Sequence, residues 1–204
     1  NNQISCITED KQQRIWVGMK EGITIIDKKQ FSISAYDHPM VANNRISSMI
    51  TDHNGFIWVA LNNNGILKIN PENLEGVRYS TDINSEIKLP ANEIVNLSED
   101  TEGRIWFTTW RKGLGFINPA RKKVYHFNGF GVNNNPFTLY EDTKEKTFWV
   151  GTWGEGIYKF RMKNATEMDQ IPVQLTTKNN KINNEVFSIT KDDYLGNIWL
   201  MTLE

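Results

Sequence analysis

A single cysteine, Cys6, in 204 residues excludes an internal disulfide and any thiolate cluster for zinc. Flanked by Ile4 and Ile7, it reads as a small buried residue rather than a nucleophile. No apolar run approaches the ~18 residues that a membrane-spanning helix requires. The opening residues Asn1-Asn2-Gln3-Ile4-Ser5 lack the basic and apolar stretches of a secretion signal. Charge of one sign is also lacking: 23 Lys+Arg stand against 24 Asp+Glu, a net of −1. That balance gives no electrostatic basis for wrapping nucleic acid or an anionic membrane. The three histidines, His38, His53 and His126, are far apart and have no close-spaced partner, so no metal site is expected. No glycine-rich phosphate loop, nucleophile elbow or paired-carboxylate signature is present, and neither catalysis nor a cofactor is expected of this region. A sustained helical period with caps is missing too, which predicts essentially no long helix.

What the chain does have is aromatic residues and a repeat. Ten Phe, seven Trp and six Tyr within a 39% apolar composition can bury enough surface to offset chain entropy. The segment Asn2-Gln3-Ile4-Ser5-Cys6-Ile7-Thr8-Glu9-Asp10, followed by Arg14-Ile15-Trp16-Val17-Gly18, returns four more times. Its second copy begins at Asn44-Arg45-Ile46 and reaches Ile57-Trp58-Val59, and its third begins at Asn92-Glu93-Ile94 and reaches Ile105-Trp106-Phe107. A looser fourth copy carries Phe137, Leu139, Asp142 and Phe148-Trp149-Val150, with Pro136 in place of a polar residue and no glycine before Phe148. The fifth starts at Asn184-Glu185-Val186 and reaches Ile198-Trp199-Leu200. Repeat tryptophans thus fall at 16, 58, 106, 149 and 199, in steps of 42, 48, 43 and 50.

Each of the first four copies continues with a glycine and a second apolar run, at Gly22, Gly65, Gly113 and Gly156. A further β-rich run follows at 31–36, 77–80, 124–127 and 171–175. Four short strands per unit at a period in the forties is the arithmetic of a β-propeller blade. A sandwich strand would alternate apolar with polar residues, whereas Ile57-Trp58-Val59 and its equivalents are apolar throughout and need cover on both faces. Pro172 fits the outermost strand, where a missing N–H is tolerated, and Asn54-Gly55 supplies a hairpin turn. The expected fold is all-β, with four-stranded antiparallel blades at about 1–40, 41–88, 89–132 and 133–180. An incomplete fifth blade at 181–204 makes the chain part of a larger propeller.

The string Asn-x-Ile-Ser-x-Ile…Asp-x-x-Gly-x-Ile-Trp-Val-Gly-Thr…Gly-Ile resembles the two-component regulator propeller repeat, best at 44–60 and 149–156. The resemblance implies an extracytoplasmic sensor region of a hybrid histidine kinase, on the periplasmic or extracellular side of the inner membrane of a Gram-negative bacterium. Its implied ligand is an oligosaccharide. Its implied partners are the remaining blades, a β-sandwich, a membrane span and a kinase. Repeats of this type also occur in surface and secretion components without a kinase.

Within the repeat, Asp10, Asp52, Asp100, Asp142 and Asp192 precede a hairpin and suit Asx-turn bonding to nearby backbone N–H groups. Trp16, Trp58, Trp106, Trp149 and Trp199 read as packing residues. Two tryptophans lie outside the repeat. Trp110 and Trp153 each follow a repeat Trp by four residues, where the first two copies have Lys20 and Asn62. In an up-and-down meander, the turns after the second strands of adjacent blades share one face, so the two rings should lie side by side. With Arg111, Lys112 and Glu155 flanking them, they form the candidate ligand-binding set. Aromatic faces stack on the CH groups of sugar rings while charges bind hydroxyls.

Overall fold

The computed structural model describes residues 3–42, 44–169, 173–175, 184–192 and 194–203. Every regular element among them is a β-strand, and none is a helix. The first sheet holds β1 (Ile4–Glu9), β2 (Arg14–Met19), β3 (Gly22–Asp27) and β4 (Ser32–Ala35). The second holds β5 (Ile46–Thr51), β6 (Ile57–Leu61), β7 (Gly65–Ile69) and β8 (Gly76–Tyr79). The third holds β9 (Ile94–Glu99), β10 (Ile105–Thr109), β11 (Gly113–Asn118) and β12 (Lys123–Phe127). The fourth holds β13 (Pro136–Asp142), β14 (Thr147–Thr152), β15 (Ile157–Phe160) and β16 (Val173–Leu175). A hairpin of β17 (Val186–Lys191) and β18 (Ile198–Thr202) follows. Each sheet is an antiparallel meander in chain order, and the first strands of successive sheets pack on one another as at the hub of a propeller. Pro172 and the start of the expected run at 171–175 lie outside the described residues.

The third strand of each complete sheet begins, at or within a residue, on the repeat glycine, and the backbone explains why. Gly65 and Gly113 have φ of +80° and +82°, a region that side-chain-bearing residues avoid. A Cβ there would also sit 2.2 Å from the Tyr79 carbonyl oxygen or 2.3 Å from that of Phe127. In the first hairpin of the second sheet, Gly55 takes the positive φ while Asn54 does not; in the fourth sheet, where no glycine is available, Lys146 takes it at +51°.

Apolar residues on both faces of the second strand are buried where sheets lie on both sides. All five residues of β6 are buried, and so are all five of β10. The first four repeat tryptophans pack toward the sheet that follows their own. Trp16 clusters with Ile46, Met49 and Ile57, Trp58 with Ile94, Leu97 and Phe107, and Trp106 with Phe148 and Phe160. No sheet follows Trp199 among the described residues, and the residue is 61% exposed. On β18 the burial alternates accordingly: Ile198 and Leu200 pack on the fourth sheet, while Trp199 and Met201 face outward.

The repeat aspartates make the Asx-type turns and also do something more. One carboxylate oxygen of Asp10 accepts the N–H groups of Gln12 and Arg14, and the other accepts the indole N–H of Trp16 at 2.8 Å. Asp52 and Asp100 do the same for Trp58 and Trp106, at 2.8 and 2.6 Å. Asp192 reaches Trp199 at 3.1 Å. The fourth sheet departs from this. Trp149 stands seven residues after Asp142, the spacing that Trp199 also has from Asp192, but Asp142 Oδ2 accepts Lys191 Nζ at 2.7 Å instead. Trp149 Nε1 is then buried without an acceptor among the described residues.

Side chains stitch the sheets together at both ends of the inner strands. Ser5 and Ser47 donate to the Ile46 and Ile94 carbonyls of the following sheet, at 2.6 and 2.7 Å. At the opposite end, Glu99 accepts the backbone N–H of His53, and Glu141 accepts the N–H and hydroxyl of Thr101, each at 2.8 Å.

Trp58→Ala or Trp106→Ala should destabilise the fold by about 3–5 kcal/mol, since each removes a fully buried aromatic from between two sheets. Trp199→Ala should change a denaturant midpoint far less, and equal losses at all three positions would contradict this packing account. The Asp142–Lys191 pair makes a pH prediction. Burial pushes the Asp142 carboxyl up, but the hydrogen bond from Lys191 and the Glu145 N–H outweigh it and hold the group below the usual carboxylate range. Its contribution is therefore complete above the ordinary carboxylate value of about 4 and is lost as pH falls through the lowered folded value. Hydrogen-exchange protection of β17 and β18 should drop on acidification more steeply in the parent than in Lys191→Met. Matching pH profiles would show that the pair does not hold the hairpin.

Candidate functional site

The turns after the second strands have a common backbone anchor. Asn62 N–H donates to the Arg45 carbonyl at 2.9 Å, Trp110 N–H to Glu93 at 3.2 Å, and Trp153 N–H to Asn135 at 3.0 Å. Positions 62, 110 and 153 are thus structurally equivalent in successive sheets, and all lie on the face opposite the Asp–Trp turns. Thr109 and Thr152, fully buried, each bond the carbonyl of the glycine four residues on, at 2.7 and 2.8 Å, and so fix the two tryptophan-bearing turns.

Trp110 and Trp153 do lie beside each other, with ring centroids 6.1 Å apart at 67°. Two residues that the sequence pattern did not single out join them. Phe187 packs edge-on to Trp153 at 5.2 Å and 80°, and Phe137 packs edge-on to Phe187 at 5.2 Å and 85°. Phe137 also lies 6.2 Å from Trp153. Both phenylalanines occupy the position held by Ser5 and Ser47 in the first two copies. That exchange of an inter-sheet hydrogen bond for an aromatic is the signal that marks them. Four rings from three successive sheets make one cluster. Trp110, Phe137 and Phe187 are half-buried, whereas Trp153 is 38% exposed at the surface of the cluster.

The charged residues beside the rings are placed unequally. Arg111 adopts φ +61° at the turn, held by its own N–H on Asn135 Oδ1 at 2.8 Å, and its side chain and that of Lys112 are exposed. The Lys112 carbonyl is bonded by His126 Nε2. Glu155 is committed within the protein. Its Oε1 accepts the Asn133 N–H at 2.8 Å and its Oε2 lies 3.4 Å from the Tyr158 hydroxyl. Burial, reinforced by that carboxylate, pushes the Tyr158 phenol up to about 12. The carboxylate fills the space over Gly131, where a Cβ would stand 1.1 Å from Oε2. Glu155 therefore fastens the loop at 129–134 beneath the rings. Among the described residues no three His, Cys, Asp or Glu side chains gather as a metal site.

With fold and site in place, the comparisons with known proteins bear on identity. The two-component regulator propeller profile matches residues 1–21, 41–63 and 88–111, the first halves of three successive repeats. The likeness to that family rests on these three repeat halves, about a third of the chain. Among solved structures, the chain is similar to the extracellular domain of a hybrid two-component system from B. thetaiotaomicron. The TM-score is 0.78 at 21% identity, over 99% of this chain and 28% of that one. It is also similar to virginiamycin B lyase from Staphylococcus aureus, with a TM-score of 0.73 at 17% identity over 98% of this chain and 63% of that one. A third similarity is to PorZ, a surface component of the type-IX secretion system of Porphyromonas gingivalis. Its TM-score is 0.68 at 16% identity, over 96% of this chain and 31% of that one. At these identities the likenesses establish the propeller fold. The chain spans about a quarter of the hybrid-system domain. No curated protein matches it.

The Gly131–Glu155 contact is testable. Gly131→Ala would add a Cβ at φ +82° into the Glu155 carboxylate and should destabilise the protein by about 1–3 kcal/mol. A denaturant midpoint equal to the parent's would show that Glu155 does not hold this loop.

Proposed function

We propose that this propeller region is a non-catalytic ligand sensor of a hybrid two-component system, recognising an oligosaccharide outside the cytoplasm and passing the signal to a histidine kinase. The observation that carries the reading is the four-ring cluster on one face, with Trp153 at its exposed surface. Folding does not require aromatics at these positions, because the first two sheets have Lys20 and Asn62 there and are fully formed. A flat ring pinned by a buried threonine and a backbone anchor is preorganised for stacking, so little ordering cost falls on binding. Arg111 and Lys112 stand exposed beside it as hydroxyl partners. The family of the repeat supports the kinase context and a periplasmic or extracellular location in a Gram-negative bacterium.

Two other readings are set against this. Likeness to PorZ favours a surface or secretion-associated propeller that docks a protein and has no kinase attached. Likeness to a lyase raises a catalytic reading, which would need acid and base groups converging on a cleft. On the aromatic face the carboxylate of the Trp153 turn, Glu155, is instead bonded to backbone and to Tyr158. A membrane span and kinase encoded downstream in the same reading frame would separate the sensor from the docking module.

Trp153→Ala should leave the thermal midpoint close to the parent's and weaken oligosaccharide binding roughly tenfold, the value of one stacked ring. Trp110→Ala should weaken binding similarly while costing more stability, because its ring is half-buried. A glycan array followed by calorimetric titration supplies the affinities. Parental affinity in both variants would remove this face as the site.

A further inference from the structure

The first two sheets present a different chemistry on the same face. Where the third and fourth sheets carry Trp110 and Trp153, these carry Lys20 and Asn62. Between them lies an open cleft of about 670 Å³ lined by Lys20, Glu21, Arg45 and the amides of Asn62, Asn63 and Asn64. Lys20 and Arg45 also line the adjoining hollow with Gln3 and Ser5, so two cations look into both. Both side chains are exposed, and no ion pair among the described residues uses either. Part of the amide lining is fixed: Asn64 Nδ2 donates to Asn44 Oδ1 at 2.5 Å, and Asn44 Nδ2 donates to the Met40 carbonyl at 3.0 Å. Asn62 and Asn63 remain exposed at the rim, with Asn63 at φ +66°. Against Glu21, the cleft has a surplus of one positive charge and a wall of amide donors.

The sheet that carries Trp110 follows the second sheet, one wall of this cleft, and has the exposed Glu93 at the position that Arg45 holds in the second. Asn62 and Trp110 occupy equivalent positions in adjacent sheets, which packed sheets separate by roughly 10 Å. We infer that the oligosaccharide is acidic, its sugar rings stacking on Trp153 and Trp110 while a carboxylate or sulfate substituent sits in the neighbouring cleft against Arg45 and Lys20. This rests on the aromatic face being the glycan site. Arg45 suits the role because its planar fork matches either anion with two parallel bonds. The net charge of −1 gives no overall attraction for anions, so selectivity must come from this local surplus.

The test is titration calorimetry of the full chain with two matched probe pairs. One pair is an oligogalacturonate and its carboxyl-reduced counterpart; the other is a sulfated galacto-oligosaccharide and its desulfated counterpart. The acidic member of at least one pair should bind about tenfold or more tightly than its neutral match, a preference worth one good charged hydrogen bond. That preference should shrink as salt is raised. R45Q with K20Q should bring the acid-to-neutral ratio toward one, and the pair that responds distinguishes carboxylate from sulfate. Trp153→Ala should weaken acidic and neutral members together. An unchanged ratio in the double variant overturns the inference, as does absence of binding by every acidic probe. If Arg45 governs acid binding and Trp153 does not, the anion cleft stands while the aromatic platform fails; the converse leaves the platform and removes the cleft.

Discussion

A tryptophan held between two β-sheets must find an acceptor for its indole N–H, because the sheets that bury it exclude water. The aspartate six residues earlier supplies that acceptor in the first three copies, and much of the architecture follows from it. One carboxylate oxygen closes the hairpin through backbone N–H groups, and the other reaches across to the ring that the hairpin delivers. Turn geometry and inter-sheet packing are thereby coupled through a single side chain. A residue that merely tolerated the turn would leave the indole unsatisfied, at a cost of about 1–3 kcal/mol for a buried polar group.

The fourth copy shows what happens when the next sheet offers the aspartate a lysine. Asp142 turns away from Trp149 and takes Lys191 from the next sheet, whereas Asp192, at the same seven-residue spacing, still bonds Trp199. The Lys191 ammonium is in turn pushed up by that hydrogen bond. The junction between the fourth sheet and the last hairpin thus rests on an ion pair where the two preceding junctions rest on glutamate-to-backbone bonds. Glu99 and Glu141 hold the turns of the preceding sheets, and position 191 is where a third such glutamate would stand. Lysine there reverses the polarity of the contact, and the aspartate it meets is the one released from its own tryptophan. The two departures compensate each other.

The repeat made most of this fold legible. Three consecutive apolar residues around each tryptophan implied cover on both faces, and the full burial of β6 and β10 is that cover. The packing direction was not legible, because nothing in Ile-Trp-Val says which neighbour the ring faces. It becomes visible only in the contrast between Trp106, sealed by Phe148 and Phe160, and Trp199, which has no following sheet among the described residues. The indole bond was hidden for a similar reason. Sequence spacing shows that aspartate and tryptophan recur together, yet Asx-turn chemistry alone accounts for the aspartate, and the second oxygen is not asked for until coordinates place it.

The candidate site divides along the same line. Trp110 and Trp153 stood out because the repeat offers an internal control: equivalent positions in other copies are polar, so fold alone does not explain an aromatic. Phe137 and Phe187 read in the sequence only as repeat residues, because apolar residues in an inner strand look like core. Comparison with Ser5 and Ser47 shows otherwise, since those hydroxyls bond the next sheet and their replacement gives up that link. Glu155 shows the converse, for a charged residue in a turn beside the rings is bonded to a neighbouring loop and to Tyr158. A propeller makes such distinctions tractable, since each sheet presents the same backbone positions in a new chemical setting. Lys20 and Asn62 in two sheets against Trp110 and Trp153 in the next two turn one repeated turn into a polar half and an aromatic half of one face.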